Sequence, residues 1–279
     1  KIPFSAAISS TVEVAKRTDL KGLAGTVNAI LRNSVRSIEK EKLPKISPDE
    51  IERLSCIESL PLWLVHEIVN WFGIKEGKNI IKAFNKKPSI DLRINSLKTD
   101  VNKCLKELDK CNINAAPINH LNNGVALNSN PRSIKNLPGY KDGMWVVQDR
   151  SSQWVAPLLD PIKGDKILDA CSAPGSKTTH LAALAEDDAE ILAVDRSAIR
   201  LNILQSNLER LNIKSVKTFK ADATSLIDIK PNLISYFDKI LIDAPCSGIG
   251  TLARNPDSRW SLSKDKISQL VLLQEKLLE

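Results

Sequence analysis

The stretch DKILDACSAPGSKTTHLAALAEDDAEILAVDRS, residues 165–197, contains two short apolar runs with a helix-like segment between them. Both runs, KILDA and ILAVD, are rich in branched residues and reach an aspartate, as buried strands that lead into a loop often do. The segment between them, KTTHLAALAE, has the length and apolar content of a helix. This order of strand, helix and strand predicts a right-handed crossover between parallel strands.

The same alternation continues toward the C-terminus. RLNILQSNLERL (200–211) has helical spacing, whereas VKTFKADA (216–223) and KILIDAP (239–245) resemble strands. The pattern predicts an α/β fold with a parallel, doubly wound sheet. Ligands bind such a sheet at the carboxyl ends of its strands.

The residues before this sheet have other periodicities. Between Ala6 and Ser37 the apolar spacing predicts two amphipathic helices, and PLWLVHEIVNWFGI (61–74) predicts a further helix ended by Gly73. After Pro88, short β-like pieces around a helical segment indicate a small α+β unit. We therefore expect a helical part over 1–85, an α+β part over 86–145 and the parallel-sheet domain over 146–279.

Charge and composition limit the function classes. The chain has 279 residues, 42% of them hydrophobic, with 40 Lys plus Arg against 33 Asp plus Glu. The whole excess of basic residues precedes Pro161, which suits either phosphate contacts with a nucleic acid or an ordinary solvated surface. Both interpretations stay open on charge alone.

Cysteine usage and hydropathy exclude other classes. The five cysteines form no C-x2-C pair and only three histidines are present, so we expect no metal site and no disulfide scaffold. No apolar run approaches the roughly 18 residues that span a bilayer, and the first residues do not resemble a signal peptide. These features predict a cytoplasmic protein with no membrane partner.

A nucleoside site is predicted at the strand ends. The loop after the first strand is small and contains Gly175, so an adenosyl group can approach its backbone closely. Asp195 ends the second strand at the distance where an acid receives ribose hydroxyls. Asp222 follows the third strand, where it could accept from an adenine amino group, and Asp243 follows the fourth. Each aspartate taken singly is better explained by helix capping or loop solvation, but four successive strand ends that each deliver an acidic or small polar group to one edge favour a site.

Two other nucleotide sites fail on spacing. A dinucleotide site needs G-x-G-x-x-G, whereas this loop has Gly175 alone. A P-loop needs Gly-Lys-Ser/Thr, whereas Ser176 stands before Lys177.

Cys246, in DAPC after the fourth strand, indicates the chemistry. Carbon 5 of cytosine is a poor nucleophile until a thiolate adds at carbon 6, after which it can take a methyl group. The base must be unpaired or extruded to expose these atoms. A lone cysteine is usually just a small buried residue, but its position beside Asp243, Pro245 and Gly248 favours a catalytic role.

The segments DACSAPGSKTTH, AVDRS, KADAT and DAPCSGIGTLARNPDSRW closely resemble the Sun/Fmu (RsmB) family of bacterial 16S ribosomal RNA cytosine-C5 methyltransferases. GLAGTVNAILRN is similar to the end of that family's NusB-like RNA-binding domain, and LRIN and WVVQDRSSQWVAPLL resemble segments that precede its catalytic core. The resemblance implies a class I, Rossmann-like fold, S-adenosylmethionine as cofactor and 16S ribosomal RNA as partner. It implies a donor-binding loop of Cys171, Ser172, Ala173, Pro174, Gly175, Ser176 and Lys177, with Asp195 at the ribose, Asp222 near the adenine and Asp243 lining the donor and target site.

The chain departs from the family in two ways. Ser176 stands where the family usually has a second glycine, which matters if that position needs a positive φ. The resemblance also implies that earlier NusB-like helices, the last strands of the sheet and the nucleophilic cysteine lie beyond both ends, with Cys246 assisting product release. We therefore expect a fragment with an incomplete sheet that is inactive by itself.

Two alternatives remain. One is methylation of another acceptor, although amino-group methyltransferases often carry Asn/Asp-Pro-Pro-Tyr where this chain has Asp-Ala-Pro-Cys. The other is a non-catalytic RNA-binding or assembly factor, against which Asp195, Asp222 and Asp243 argue.

Overall fold

The computed structural model describes residues 3–19, 21–39, 47–129, 131 and 133–279. The chain divides into two compact units, residues 1–82 and 83–279. Among the described residues, none of the helices combines the length and apolar character that a membrane crossing requires.

The first unit is helical. The carboxylate of Asp49 caps the third helix by accepting from the backbone N–H groups of Ile51 and Glu52, as N-cap residues commonly do. The fourth helix is interrupted at Gly73, where φ is 73° and ψ is 164°, and then continues. The first helical piece therefore ends at Gly73, as predicted, and a second helical piece follows it. The helices are α1 (Phe4–Lys16), α2 (Ala24–Glu39), α3 (Glu50–Glu58) and α4 (Leu62–Ala83).

The second unit begins with an antiparallel sheet. Its strands lie in the order β2-β3-β1-β4, and one face packs on α5 through a core that includes Leu92, Leu108 and Trp145. A short helical pair then leads to the next sheet. The elements are β1 (Ile90–Ile94), α5 (Val101–Lys110), β2 (Ala115–Pro117), β3 (Gly124–Leu127), β4 (Trp145–Val147), α6 (Arg150–Gln153) and α7 (Val155–Leu159).

The following sheet is parallel, which confirms the predicted α/β fold. Its order is β7-β6-β5-β8, and residues of alternating parity along β5 and β6 enter two separate cores, so both faces are covered. The elements are β5 (Lys166–Asp169), α8 (Thr178–Leu184), β6 (Glu190–Asp195), α9 (Ala198–Leu211), β7 (Val216–Lys220), α10 (Leu226–Ile229), β8 (Lys239–Leu241) and α11 (Lys264–Leu278).

The strand order creates a switch point. From β5 the chain proceeds outward to β6 and β7, and then returns to place β8 on the other side of β5. A crevice opens at such a point because the connections leave the strands in opposite directions. The carboxyl ends of β5 and β8 therefore mark the expected site.

Candidate functional site

Two carboxylates lie at the switch point. Asp169 ends β5 beside Leu241, the last residue of β8, and Asp243 follows two residues later. The Lys177 ammonium, which is 15% exposed, forms an ion pair with the Asp243 carboxylate. The start of α8 is thus tied to the end of β8 across the crevice.

The loop between β5 and α8, residues 170–177, is also fixed to β6. Ser172 donates its backbone N–H and its hydroxyl to the Val194 carbonyl, at 2.9 and 3.1 Å. The Ala173 N–H donates to Asp195 Oδ2 at 3.2 Å, and the Arg200 guanidinium both pairs with Asp195 and donates to the Ala173 carbonyl. The Ala173–Pro174 peptide is cis. These bonds hold the loop beside a carboxylate that is only 5% exposed.

Gly175 is the position in this loop where a side chain would be both strained and crowded. Its φ is +100°, and a Cβ added there would lie 2.2 Å from Leu204 Cδ1. Ser176 is absent from the residues of positive φ, so the missing second glycine leaves its backbone unstrained. The departure at Ser176 is therefore compatible with the loop geometry.

Asp169 is fully buried. Its Oδ2 accepts from the Thr178 hydroxyl at 2.7 Å, whereas its Oδ1 has no hydrogen-bond partner within the described part of the chain. Burial raises the pKa of Asp169 to about 7, and the neighbouring charge of Asp243 acts in the same direction. At neutral pH this carboxyl therefore exchanges between its protonated and charged forms.

Cys171 lies close to the carboxyl ends of the parallel strands. Burial raises the pKa of its thiol to about 11, and the charges of Asp169, Asp195, Asp243 and Asp222 add to the increase. All four strand-end aspartates thus lie within electrostatic range of one sulfur, as the sequence predicts for parallel strands. Because of this pKa, Cys171 stays a thiol near neutrality and is a poor nucleophile.

Asp222 and Cys246 are both exposed at this edge. Asp222 Oδ1 accepts from the N–H and hydroxyl of Thr224, at 3.0 and 2.8 Å, and so caps a short 3-10 turn. Cys246 lies three residues beyond Asp243 in a loop without regular structure, where α11 contributes a hydrogen bond from Gln274 to the Pro245 carbonyl at 2.8 Å. Its thiol is thus accessible on the segment that carries Asp243.

The structure adds residues that the sequence pattern did not single out. Thr178 binds Asp169, Arg200 binds Asp195 and the loop, and Arg93 reaches the loop from β1. A signal for Arg93 existed, since polar residues occupy every second position of DLRIN. Nothing in the spacing pointed to Arg200.

Within the described ranges, the His, Cys, Asp and Glu side chains form no group of three or more that could hold a metal ion.

Known proteins share these features. The profile of the 16S rRNA methyltransferase RsmB/F family matches residues 156–279, and the ferredoxin-like domain of RsmF/B-like methyltransferases matches residues 60–134. Over all 279 residues the chain is 39% identical to the "Probable ribosomal RNA small subunit methyltransferase B" of a Synechocystis species. The chain belongs to the RsmB/F family. It spans 62% of the length of that curated relative.

Two solved structures share this fold. The crystal structure of PH0851 superposes with a TM-score of 0.85 at 28% identity, covering 99% of this chain and 60% of that one. A methyltransferase homolog protein from Pyrococcus horikoshii gives a TM-score of 0.71 at 29% identity, covering 83% of this chain and 72% of its own. The RsmB/F-family chain therefore has the class I, Rossmann-like methyltransferase fold, preceded by an antiparallel α+β part.

Proposed function

We propose that the protein is an S-adenosylmethionine-dependent methyltransferase that modifies carbon 5 of cytosine in RNA, with 16S ribosomal RNA as the target. The observation that carries the proposal is the convergence of strand-end carboxylates on the loop between β5 and α8. Asp195 accepts from the Ala173 N–H, Asp169 accepts from the hydroxyl of Thr178 just after the loop, and Asp243 pairs with Lys177. Family membership supports the reaction class and the RNA substrate.

The residues present suit the donor. S-adenosylmethionine carries a sulfonium and an ammonium group, and it supplies an electrophilic methyl group when bound. An acidic crevice complements these cations. Asp195 already accepts two backbone N–H groups, but a carboxylate has about four acceptor positions, so it can also receive ribose hydroxyls. The loop Cys171–Lys177 holds the donor, Asp222 receives the adenine amino group, and Asp243 faces donor and target.

The acceptor chemistry requires a cysteine. A thiolate adds to carbon 6 of an extruded cytosine, and carbon 5 takes the methyl group as its bond to the donor sulfonium breaks and S-adenosylhomocysteine leaves. A base then removes the carbon 5 proton, and cleavage of the bond between carbon 6 and sulfur releases the thiolate. Cys171 is unsuited because its pKa is near 11, whereas Cys246 is exposed on the Asp243 loop. We assign Cys246 to product release. The family resemblance supports a second cysteine as the nucleophile.

The test uses the full-length protein with unmodified 16S ribosomal RNA and S-adenosylmethionine, followed by bisulfite sequencing. We expect a bisulfite-resistant cytosine that disappears with Asp195→Asn and persists with Asp228→Asn. Asp228 is an exposed carboxylate on α10, so it controls for the charge change.

Other outcomes distinguish other functions. Methyl label found only on exocyclic nitrogen or on protein would exclude cytosine carbon 5. RNA binding without donor binding, in a folded sample, would instead indicate an assembly factor.

A further inference from the structure

β1 has an unusual second face. Side chains alternate along a strand, so Leu92 and Ile94 enter the core under α5 while Asp91, Arg93 and Asn95 point the other way. These three polar residues are 1%, 2% and 2% exposed. The outer face of an antiparallel sheet usually meets water. Here it is buried instead, within the second unit.

Each polar residue of this face has a different partner. Asp91 accepts two hydrogen bonds of 2.8 Å from the guanidinium of Arg150, which is the first residue of α6. Asn95 donates to the carbonyls of Gly143 and Leu211, at 3.0 and 3.4 Å, the latter at the end of α9. The contacts of Asp91 and Asn95 therefore join β1 to α6, to the residue before β4 and to the end of α9, and not to the loop between β5 and α8.

Arg93 alone reaches the loop between β5 and α8. Its Nε donates to Gln148 Oε1 at 2.6 Å, and its Nη2 donates to Thr179 Oγ1 at 2.9 Å and to the Ser176 carbonyl at 3.3 Å. The Thr179 hydroxyl in turn donates to the Gly175 carbonyl at 2.8 Å. One side chain of the small sheet therefore holds two consecutive carbonyls of the loop, directly and through Thr179.

These partners of Arg93 are neutral. Burial lowers the pKa of Arg93 to about 9. A buried cation without a carboxylate is expensive, and an apolar side chain in its place often serves stability better. A requirement of the loop is a better explanation for arginine at this position than a requirement of the fold.

We propose that Arg93 is a positioning residue that sets the geometry of the donor loop from the antiparallel sheet. The inference rests on the proposed donor role of residues 171–177. It predicts that the loss of Arg93 weakens donor binding and raises the donor KM, while kcat at saturating donor changes less.

The matched control is Arg210 on α9. Its Nη1 donates to the carbonyls of Tyr140 and Trp145, at 2.8 and 3.1 Å, so it also ties the parallel sheet to the small sheet. Its link to the donor loop is indirect and long, since Arg210 Nη2 donates to Asn207 Oδ1 at 3.4 Å and Asn207 donates to the Pro174 carbonyl at 3.4 Å. Arg210→Met therefore reports what loosened packing between the sheets does by itself.

The experiment measures S-adenosylmethionine Kd by calorimetry, and donor KM and kcat on RNA, for full-length Arg93→Met, Arg93→Lys, Thr179→Val and Arg210→Met. Thermal unfolding confirms that each variant is folded. We expect Arg93→Met to raise Kd about tenfold, as the loss of one or two charge-assisted hydrogen bonds implies. Arg93→Lys should recover part of this, Thr179→Val should weaken binding severalfold, and Arg210→Met should bind like the wild type.

The proposal is overturned if folded Arg93→Met keeps the wild-type Kd, or if Arg210→Met loses as much affinity. If Arg93→Met does not fold, wild-type Kd values in both Arg93→Lys and Thr179→Val overturn it. If the wild-type protein binds no S-adenosylmethionine, the proposed function is wrong, and this inference is wrong with it.

Discussion

Gly175→Ala tests whether the donor loop is shaped by a single glycine. The substitution adds a Cβ at φ +100°, 2.2 Å from Leu204 Cδ1 on α9. A backbone of positive φ costs a residue with a Cβ about 1–2 kcal/mol, and overpacking of a filled core adds about 1–3 kcal/mol. We therefore expect the free energy of unfolding to fall by about 2–5 kcal/mol.

Gly164→Ala separates the backbone cost from the steric cost. The φ of Gly164 is +81°, but nothing lies within 4 Å of an added Cβ, so Gly164→Ala should lose only the backbone term of about 1–2 kcal/mol. The steric term is measured with Leu204→Ala, which removes the atom that Gly175→Ala meets. The double variant should be more stable than the sum of its two single variants predicts, by about 1–3 kcal/mol.

The assay is equilibrium urea denaturation of the four variants and the wild type, with calorimetric titration of S-adenosylmethionine on each folded sample. Gly175→Ala should also bind the donor more weakly than Gly164→Ala. Equal losses of stability in both alanine variants, together with additive effects of Gly175→Ala and Leu204→Ala, would refute the steric argument.

Three further predictions concern individual side chains. Burial raises the pKa of Asp169 from 3.8 to about 7, so the folded protein retains a proton that the unfolded chain loses, and stability falls as pH rises between these values. Asp169→Asn should therefore gain about 2 kcal/mol on the wild type in urea unfolding between about pH 5 and pH 8, and a pH-independent difference would contradict this. Asp195→Asn should weaken donor binding by about 1.5–3 kcal/mol in calorimetry, and unchanged affinity would remove it from the ribose site. Cys246→Ala in the full-length protein should keep donor affinity and accumulate a covalent RNA adduct on denaturing gels, whereas normal turnover without adduct would exclude Cys246 from product release.

The parallel sheet was predictable because its signals are local. Each strand is a short branched run, each helix follows at once, and the rule that parallel strands end at one edge brings Asp195, Asp222 and Asp243 together. The position of Asp195, twenty residues beyond Gly175, needed no knowledge of packing. The helix end predicted at Gly73 is also confirmed, since φ is 73° and ψ is 164° there and a second helical piece follows.

The contacts of Arg93 could not be predicted from local sequence patterns. Arg93 and Ser176 are 83 residues apart in sequence, and nothing local states which surface β1 will cover. The alternation in DLRIN predicts one apolar and one polar face, and the ordinary expectation for the polar face is solvent. Burial of that face depends on the fit between two sheets that are distant in sequence, which periodicity does not encode.

Asp222 shows why capping and ligand binding were wrongly opposed as explanations. Both of its recorded hydrogen bonds end on Oδ1, so capping the 3-10 turn orients the carboxylate without involving Oδ2. The hydrogen bonds from Thr224 also lower the pKa of Asp222, so it remains charged throughout the neutral range. Asp195 likewise accepts from the Ser197 N–H while it holds Ala173. In both cases the local hydrogen bonds orient the carboxylate, which the proposed nucleoside site requires.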